Sequence, residues 1–375
     1  MSVASGNLPP SCETLPMLFD AHLDLALNGV DWNRDLRQTV EDIRAQETAL
    51  QMPEAGRRTN TLSLPELRES GLAVCLATLL ARLEPQINHS FGWTSPEACY
   101  AMAHAHLAYY RALERAGHLT WIRSRADLQS HADRFAAAPA ITPLGIILTM
   151  EGADPILTPD TVFEYHAAGL RALGLTHYGT NRYGGGTNSQ VGLAVDAVPL
   201  LKHCEQLGIT IDMTHLSDIA FWQVLEHFQG PIHASHQNAR GICNWQRQFS
   251  DAQIRAVIER RGILGVAMDV IMLQEGYVRG VTPPVVTLER AVDQIRYVAD
   301  LAGSIDCVGI GSDLDGAFGN EQTPVGLSRY RDLLKIEDIM LRRGFTPEDV
   351  EAVFFGNWFR FFMRILPDEE SASQE

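Results

Sequence analysis

Histidine and carboxylate side chains close most of the short apolar runs in this 375-residue chain. The first run ends with His22 and Asp24. Because successive side chains of a β-strand point to opposite faces, residues two apart leave the same face and can bind one cation together. Burying such groups without a partner costs free energy, and a divalent metal ion is the simplest common partner. Five further runs end in a similar way, with Glu151, His177, His215, His236 and Asp313.

Nitrogen and oxygen donors of this kind are typical of a zinc site. A mononuclear catalytic zinc has three protein ligands, so a set of five favours two ions. Glu151 ends the third run and is the natural bridge between them. Two metals about 3.5 to 4 Å apart lower the pKa of a shared water and polarise a carbonyl, which predicts metal-assisted hydrolysis. The predicted ligands are His22, Asp24, Glu151, His215 and His236.

The apolar runs are nearly continuous, as in parallel strands covered on both faces, and they alternate with segments of helical period. Eight strand-then-helix units without a composition shift favour one closed (β/α)8 barrel, a TIM barrel, over two doubly wound sheets. In such a barrel the catalytic groups project from the carboxyl ends of the strands. The predicted strands are Met17 to Asp24, Leu72 to Leu80, Gly145 to Glu151, Leu170 to His177, Gly208 to His215, Pro231 to His236, Gly262 to Met268 and Cys307 to Asp313.

The barrel accounts for the whole chain, residues 1–375, as one α/β domain with two insertions and a C-terminal helix. The insertions follow the first and second strands, at Val30 to Arg68 and Ala81 to Thr94. The last helix, Pro347 to Leu366, is rich in aromatic residues and could suggest a membrane anchor. Arg360 and Arg364 interrupt it, which favours a helix packed on the barrel.

Composition and charge exclude several classes of function. Apolar residues make up 46% of the chain and charged residues 20%, which excludes a disordered protein. With 46 acidic and 30 basic residues, the net charge of -16 repels nucleic acid and anionic lipid, so neither is an expected partner. The six cysteines lack C-x-x-C spacing and indicate reduced thiols. Since Met1 to Pro16 has no signal-peptide pattern and no run could span a bilayer, the expected location is cytoplasmic.

Six ordered motifs contain the candidate residues. They are His22-Leu23-Asp24, Glu151-Gly152, Leu175-Thr176-His177, the segment from Asp212 to Ser217, the segment from Ala234 to Arg240 and the segment from Gly309 to Gly316. Together they resemble the membrane dipeptidase (renal dipeptidase) family of metallopeptidases, peptidase family M19 of the amidohydrolase superfamily. The resemblance extends from about Met17 to Arg360, in the order and approximate spacing of the family.

The resemblance implies two zinc ions that share Glu151. His22 and Asp24 would hold one ion, and His215 and His236 the other. Many other amidohydrolases bridge their metals with a carboxylated lysine. The only lysines here lie in helical segments away from strand ends, so a glutamate bridge is also left by elimination; they are Lys202 and Lys335.

The resemblance also implies roles for three more residues. His177 would contact the substrate carbonyl and steady the tetrahedral oxyanion. Asp313 would take the proton from the bridging hydroxide and deliver it to the leaving amine. Asp315, two residues past the strand end, is the less favoured alternative for this proton transfer. Arg247 would bind the carboxylate of the dipeptide through its planar guanidinium.

The predicted function is a zinc-dependent dipeptidase that hydrolyses a small dipeptide by attack of metal-bridged hydroxide. The resemblance implies acceptance of a D residue at the C-terminal position, and it implies a homodimer. The same ligands would serve a related amidohydrolase acting on N-acyl amino acids, lactones or cyclic amides. The alternative of another class is a non-catalytic metal-binding barrel.

The segment after His177 departs from the family pattern. It runs from Tyr178 to Gly186 and is rich in glycine, which predicts a flexible loop at the barrel mouth. No Lys-Ser or Lys-Thr follows, as a phosphate-binding loop would require. Arg182 in this segment could contact an acidic side chain of the substrate or face solvent.

Four further polar residues lie near the predicted strands and helices. Asp269, after the seventh strand, could line the pocket or only cap a loop. His104 and His106 are two apart on a helix and point to different faces, which predicts two surface residues. His233 lies three residues before His236 on a strand, so its ring is expected to pack outside the barrel.

Overall fold

The computed structural model describes residues 16–84 and 92–369. Residues 85–91 of the second predicted insertion, and nearly all of the Met1 to Pro16 segment, lie outside this range. Eight parallel strands form one sheet: β1 (Leu18–Leu23), β2 (Leu72–Leu80), β3 (Leu144–Glu151), β4 (Leu170–Gly174), β5 (Thr210–Asp212), β6 (Ile232–His233), β7 (Leu264–Val266) and β8 (Val308–Ile310). Their order is β7-β8-β1-β2-β3-β4-β5-β6, and a parallel bridge between Ala234 and Leu264 joins its two ends. This confirms the predicted (β/α)8 barrel.

Several strands end before their predicted carboxyl ends. β5 ends three residues before His215, and β8 ends three residues before Asp313. His215 and Asp313 have φ angles of 67° and 59°, in the left-handed region. A strand cannot continue through this conformation, which costs a non-glycine residue on the order of 1 to 3 kcal/mol. These two site residues therefore lie on strained turns that follow their strands.

Helices cover the outside of the barrel and begin at side-chain caps where the sequence predicts them. Ser95 Oγ accepts the Ala98 N–H, and Ser250 and Gln253 form a reciprocal capping box. Within the described residues the α-helices are α1 (Val40–Ala49), α2 (Leu64–Glu69), α3 (Pro96–Arg115), α4 (Arg125–Ala137), α5 (Thr161–Ala167), α6 (Ala197–Leu207), α7 (Asp218–His227), α8 (Asp251–Glu259), α9 (Glu289–Ala302), α10 (Lys335–Arg342), α11 (Pro347–Glu351) and α12 (Asn357–Ile365).

A further short strand lies beside the barrel and was not predicted. Residues Leu119–Trp121 pair with β3 in parallel, between α3 and α4. Three residues are too few to produce a clear hydrophobic period, so the sequence pattern does not distinguish this segment from a loop.

The aromatic C-terminal segment packs on the barrel, as predicted. α11 and α12 are joined by a π-helical turn at Ala352–Gly356. The ring of Phe362 stacks on Phe19 of β1 with a centroid separation of 5.6 Å, and the Trp358 indole N–H donates to the Ile310 carbonyl at 3.0 Å. No helix among the described residues is long and apolar enough to cross a membrane.

Part of the first predicted insertion is attached to the barrel mouth by buried charged groups. Arg34 and Arg57 both bind Glu47, at 2.8 and 2.9 Å. Arg34 also lies 3.7 Å from Asp315, which follows β8. This network places residues 54 and 55 at the rim of the central cavity.

The surface prediction for His106 is wrong. Its side chain is fully buried, and its Nε2 lies 2.6 Å from Asp31, so it pins α3 to the segment after β1. His104 is partly exposed and lies 3.2 Å from Glu164. The prediction for His233 is confirmed, because its ring is buried against the C-terminal helix, 5.9 Å from the Trp358 ring.

Candidate metal centre

The first half of the candidate site surrounds the imidazole of His22. Its Nε2 lies 3.7 Å from Asp24, 3.5 Å from Glu151 and 3.9 Å from Asp313. The His22 side chain is 1% exposed, and Nε2 has no hydrogen-bond partner among the described residues. A buried nitrogen that faces three carboxylates without a hydrogen bond is suited to bind a cation with them.

The second half approaches the same carboxylate from β5 and β6. Glu151 Oε1 lies 3.2 Å from His215 Nε2 and 3.4 Å from His236 Nε2. These two imidazole nitrogens are 3.1 Å from each other. The structure thus brings together the predicted ligands from four strand ends, with Glu151 between the two halves.

The donor set fits divalent metal ions. Three groups of side chains place their donor atoms within 4.8 Å of one another, and two of these groups share Glu151. Imidazole and carboxylate are among the ligands that zinc takes in proteins, and burial would give a bound ion little competition from water. The groups are His22 with Glu151 and His236, Glu151 with His177 and His215, and His22 with Asp24 and Asp313.

Hydroxyl groups contact the Nδ1 atoms of two candidate ligand histidines. Thr187 Oγ1 lies 2.9 Å from Nδ1 of His215, and Ser235 Oγ lies 2.9 Å from Nδ1 of His236. A hydroxyl can accept a hydrogen bond, so each Nδ1 can carry the proton and leave a lone pair on Nε2 for a metal. The sequence motifs do not identify Thr187, because its role depends on a contact across 28 residues.

Two buried aspartates fix the backbone at the mouth. Asp20 Oδ1 accepts the N–H groups of His22 at 3.1 Å and Ser312 at 2.8 Å. Asp212 Oδ1 accepts the N–H groups of Thr214 and Ser235, each at 3.0 Å. Each carboxylate therefore joins its own strand end to another one and sets the spacing of the candidate ligands.

The glycine-rich segment forms a tight hairpin against the site. Residues Thr180–Asn181 pair with Gly184–Gly185, and the Thr187 N–H donates to the His177 carbonyl at 2.9 Å. A Cβ on Gly186 would lie 1.9 Å from that carbonyl oxygen. Glycine is thus required here for close approach, which brings Thr187 to His215.

A cavity of about 550 Å³ opens above the cluster. Its wall is of mixed character, with apolar groups such as Met272 and charged groups such as Arg82 and Arg279. Asp269 lines the cavity and also caps a turn, because its Oδ1 accepts the Ile271 N–H at 2.9 Å. Both interpretations of Asp269 therefore apply.

Arg247 lines the same cavity and is held rigidly. Its guanidinium donates to Gln237 Oε1 at 2.5 Å and to the His236 carbonyl at 2.9 Å. Burial lowers the pKa of Arg247 from its ordinary value. The side chain presents a preformed cationic fork close to His215 Nε2, at 3.4 Å.

Arg182 is not among the residues that line the cavity, which disfavours the alternative in which it contacts substrate. Its Nη2 donates to the Leu157 carbonyl at 2.7 Å, and its backbone N–H donates to Asp154 at 3.0 Å. The buried carboxylate of Asp154 fixes the backbone at Arg182, and the Arg182 side chain extends toward Leu157 and not into the cavity. Arg82 and Arg279 occupy the wall instead.

Burial changes the proton affinities in the cavity. Burial and the charges of Glu151 and Asp24 raise the pKa of Asp313 well above its ordinary value, although His22 opposes the shift. Burial lowers the pKa of His177 to about 4. Asp313 therefore holds a proton more readily than an exposed aspartate, whereas His177 is neutral.

Asp315 is occupied by structural hydrogen bonds. Its Oδ1 accepts the backbone N–H and hydroxyl of Thr61 at 2.7 and 2.8 Å, and its Oδ2 accepts the Leu62 N–H at 3.2 Å. It does not line the cavity, unlike Asp313. The geometry therefore favours Asp313 as the proton carrier.

A family model described as membrane dipeptidase (peptidase family M19) matches residues 13–374. The chain belongs to this family. The M19 assignment identifies the protein as an enzyme of the metallo-dipeptidase class and confirms the resemblance inferred from the six motifs.

Proteins similar to this chain include dipeptidases and metallopeptidases. Dipeptidase aclJ from Aspergillus oryzae is 27% identical over 233 residues, which are 61% of this chain and 52% of that protein. The match therefore spans about half the length of this curated relative.

The solved structure of dipeptidase AC, a metallopeptidase of family M19, superposes with a TM-score of 0.76 at 24% identity. The match covers 95% of this chain and 100% of that chain. A metallopeptidase from Rhodobacter sphaeroides, solved with a phosphinate mimic of L-Ala-D-Ala, gives a TM-score of 0.73 at 23% identity over 94% of this chain and 99% of that chain.

Proposed function

We propose that this M19 protein is a zinc-dependent dipeptidase that cleaves small dipeptides, including dipeptides with a C-terminal D residue. The observation that carries the proposal is the convergence of the Glu151 carboxylate with the imidazoles of His22, His215 and His236 at the base of one cavity. The Rhodobacter sphaeroides relative binds a mimic of L-Ala-D-Ala, so this dipeptide is the first substrate to test.

The chain's own donors define where the metal would bind. His22 and Asp24 would hold one zinc ion, and His215 and His236 the other, with Glu151 shared. Two zinc ions, when bound, would activate a water molecule for attack and would polarise the scissile carbonyl group of the substrate.

Arg247 orients the substrate by binding its C-terminal carboxylate. Gln237 and the His236 carbonyl hold the guanidinium in place, so little entropy is lost when the carboxylate binds. The remaining N–H groups of the guanidinium are available to the substrate, since a guanidinium carries five.

Asp313 moves the proton. Its carboxylate lies beside His22 and lines the cavity, so it can accept a proton from the attacking water and return it to the leaving amine. His177 donates a hydrogen bond to the carbonyl oxygen as negative charge develops there.

We also propose a cytoplasmic location. The described cysteines are all free and buried, as expected of thiols in a reducing compartment; they are Cys75, Cys99, Cys204, Cys243 and Cys307.

Substrate panels with controlled metal content test the proposed function. Protein stripped with a chelator and reloaded with zinc is expected to cleave L-Ala-D-Ala, whereas stripped protein does not. N-acyl amino acids, lactones and cyclic amides form the second arm, and hydrolysis of these alone would assign a related amidohydrolase. Zinc binding without turnover of any compound would assign a metal-binding barrel. Zinc-loaded Asp313→Asn protein provides the background rate.

A further inference from the structure

The side chain of Arg82 lies beside His177 at the wall of the cavity. Arg82 follows the end of β2, and its side chain is 18% exposed. Its Nη2 donates to Glu84 at 2.7 Å, and its Nη1 lies 3.5 Å from Nδ1 of His177. This contact joins residues 95 positions apart, and Arg82 belongs to none of the motifs that indicate the site.

The chemistry of this contact determines where His177 carries its proton. A guanidinium only donates hydrogen bonds, so the ring nitrogen that faces Arg82 must offer a lone pair. A neutral imidazole has one N–H, which is then on Nε2. Nε2 of His177 faces the cluster, 3.7 Å from Glu151 Oε1.

The two neighbouring histidines have the opposite arrangement. Thr187 and Ser235 place hydroxyl oxygens at Nδ1 of His215 and His236, and those hydroxyls can accept a proton that Nδ1 carries. Their Nε2 atoms are then free to bind a metal. His177 lies in the same group of donor atoms as His215 and Glu151, yet only its Nδ1 faces a guanidinium.

We propose that Arg82 is a positioning residue that fixes the Nε2–H form of His177, so that this histidine donates a hydrogen bond to substrate and does not ligate zinc. The kinetic consequence rests on the proposed dipeptidase function. The position of the His177 proton does not rest on that function, because the contact with Arg82 that fixes it lies within the chain.

Nitrogen NMR of ring-labelled histidine tests the proton position directly. With the signal assigned by loss in His177→Gln, His177 is expected to be protonated at Nε2 in both the stripped and the zinc-loaded protein. Arg82→Met should shift the population toward Nδ1–H, and Arg82→Lys, which keeps a donor-only group, should shift it less. A wild-type signal with Nδ1 protonated, or a signal that Arg82→Met leaves unchanged, would overturn the proposal.

Steady-state kinetics with L-Ala-D-Ala tests the consequence. Arg82→Met should lower kcat by roughly 10- to 100-fold with little change in KM and with zinc content retained, as for other groups that orient a catalytic residue. Arg342→Met is the control, since it removes an exposed arginine that pairs with Glu289 away from the cavity; it should leave kcat within about twofold. A rise in KM alone for Arg82→Met would make Arg82 a substrate contact and contradict the proposal.

Failure of the proposed function can be distinguished from failure of this inference. Absence of dipeptide cleavage by the wild type would refute the proposed function, and the NMR result would still decide the proton position.

Discussion

Glu151 Oε2 lies 3.5 Å from Nε2 of His22, and this contact links the ends of β1 and β3 across the barrel mouth. The other oxygen of the same carboxylate faces His215 and His236. A single side chain therefore contacts both halves of the donor cluster, which makes Glu151 the residue on which the proposed two-metal site depends.

Glu151→Gln is expected to lower the zinc content of the purified protein. The amide has one weaker oxygen donor and an NH2 group that repels cations, so it cannot serve both halves. Metal analysis after dialysis at fixed free zinc measures the change. His203→Gln is the control, because His203 is partly exposed and pairs with Asp160 away from the site. Two tightly held zinc ions in the Glu151→Gln protein would show that the bridge is misassigned.

Asp313→Asn should abolish most turnover while zinc remains bound. Loss of a general acid and base typically lowers the rate by about 10²- to 10⁴-fold, and an asparagine cannot transfer the proton. The measurements are kcat with L-Ala-D-Ala and metal content of the same sample. Turnover within a few-fold of the wild type would mean that another group carries the proton.

Asp315→Asn should affect stability rather than the chemical step. The carboxylate accepts hydrogen bonds from Thr61 and Leu62, and an amide NH2 would face some of these donors. Leaving buried donors without an acceptor costs about 1 to 3 kcal/mol. Urea unfolding followed by fluorescence gives the free energy of unfolding, and activity per folded molecule should stay close to that of the wild type. Lost activity at unchanged stability would return Asp315 to the list of catalytic candidates.

Thr187→Val should weaken zinc binding by roughly 10- to 100-fold. The substitution keeps the shape of the side chain but removes the hydroxyl that holds Nδ1 of His215, and loss of such a partner weakens metal affinity by this amount. Thr187→Ser retains the hydroxyl and is expected to restore the affinity. Competition with a zinc-binding dye provides the dissociation constants; equal constants for the valine and serine variants would exclude the role of the hydroxyl.

When the pH is lowered, zinc should dissociate from this site at a higher pH than from a site whose histidines have ordinary pKa values. Although burial opposes protonation, the carboxylates of Glu151 and Asp24 hold the pKa of His22 well above its ordinary value. His22 must lose its proton before Nε2 can bind zinc, so affinity is fully present above this pKa and falls as the pH drops through it, by about tenfold per pH unit for one proton. Dye competition over a pH series measures the slope, and a flat profile between neutral and mildly acidic pH would contradict the expectation.

The barrel is predictable from the sequence because parallel strands covered on both faces leave continuous apolar runs. The ends of those runs are less predictable. Strand β5 stops at Asp212, three residues before His215, which adopts a left-handed conformation, and the apolar run in the sequence contains no sign of either feature. The extra strand at Leu119–Trp121 is too short to show a period.

The convergence of the candidate ligands could be predicted from chain position, since each lies at or shortly after the carboxyl end of a strand. The groups that hold these ligands could not. Arg82, Thr187 and Asp20 act through contacts with residues far along the chain, and nothing in their local sequence marks those contacts. Arg182 shows the opposite case, because a loop position beside the site does not determine which way the side chain leaves the backbone.

Asp20 joins the beginning of the barrel to its end, since its carboxylate accepts the Ser312 N–H across 292 residues and the Tyr330 hydroxyl across 310. During synthesis on the ribosome, His22 emerges long before these two donors exist. The chain must therefore be almost fully translated before the His22 half of the candidate site acquires its final shape, and a metal ion bound there would enter only late in maturation.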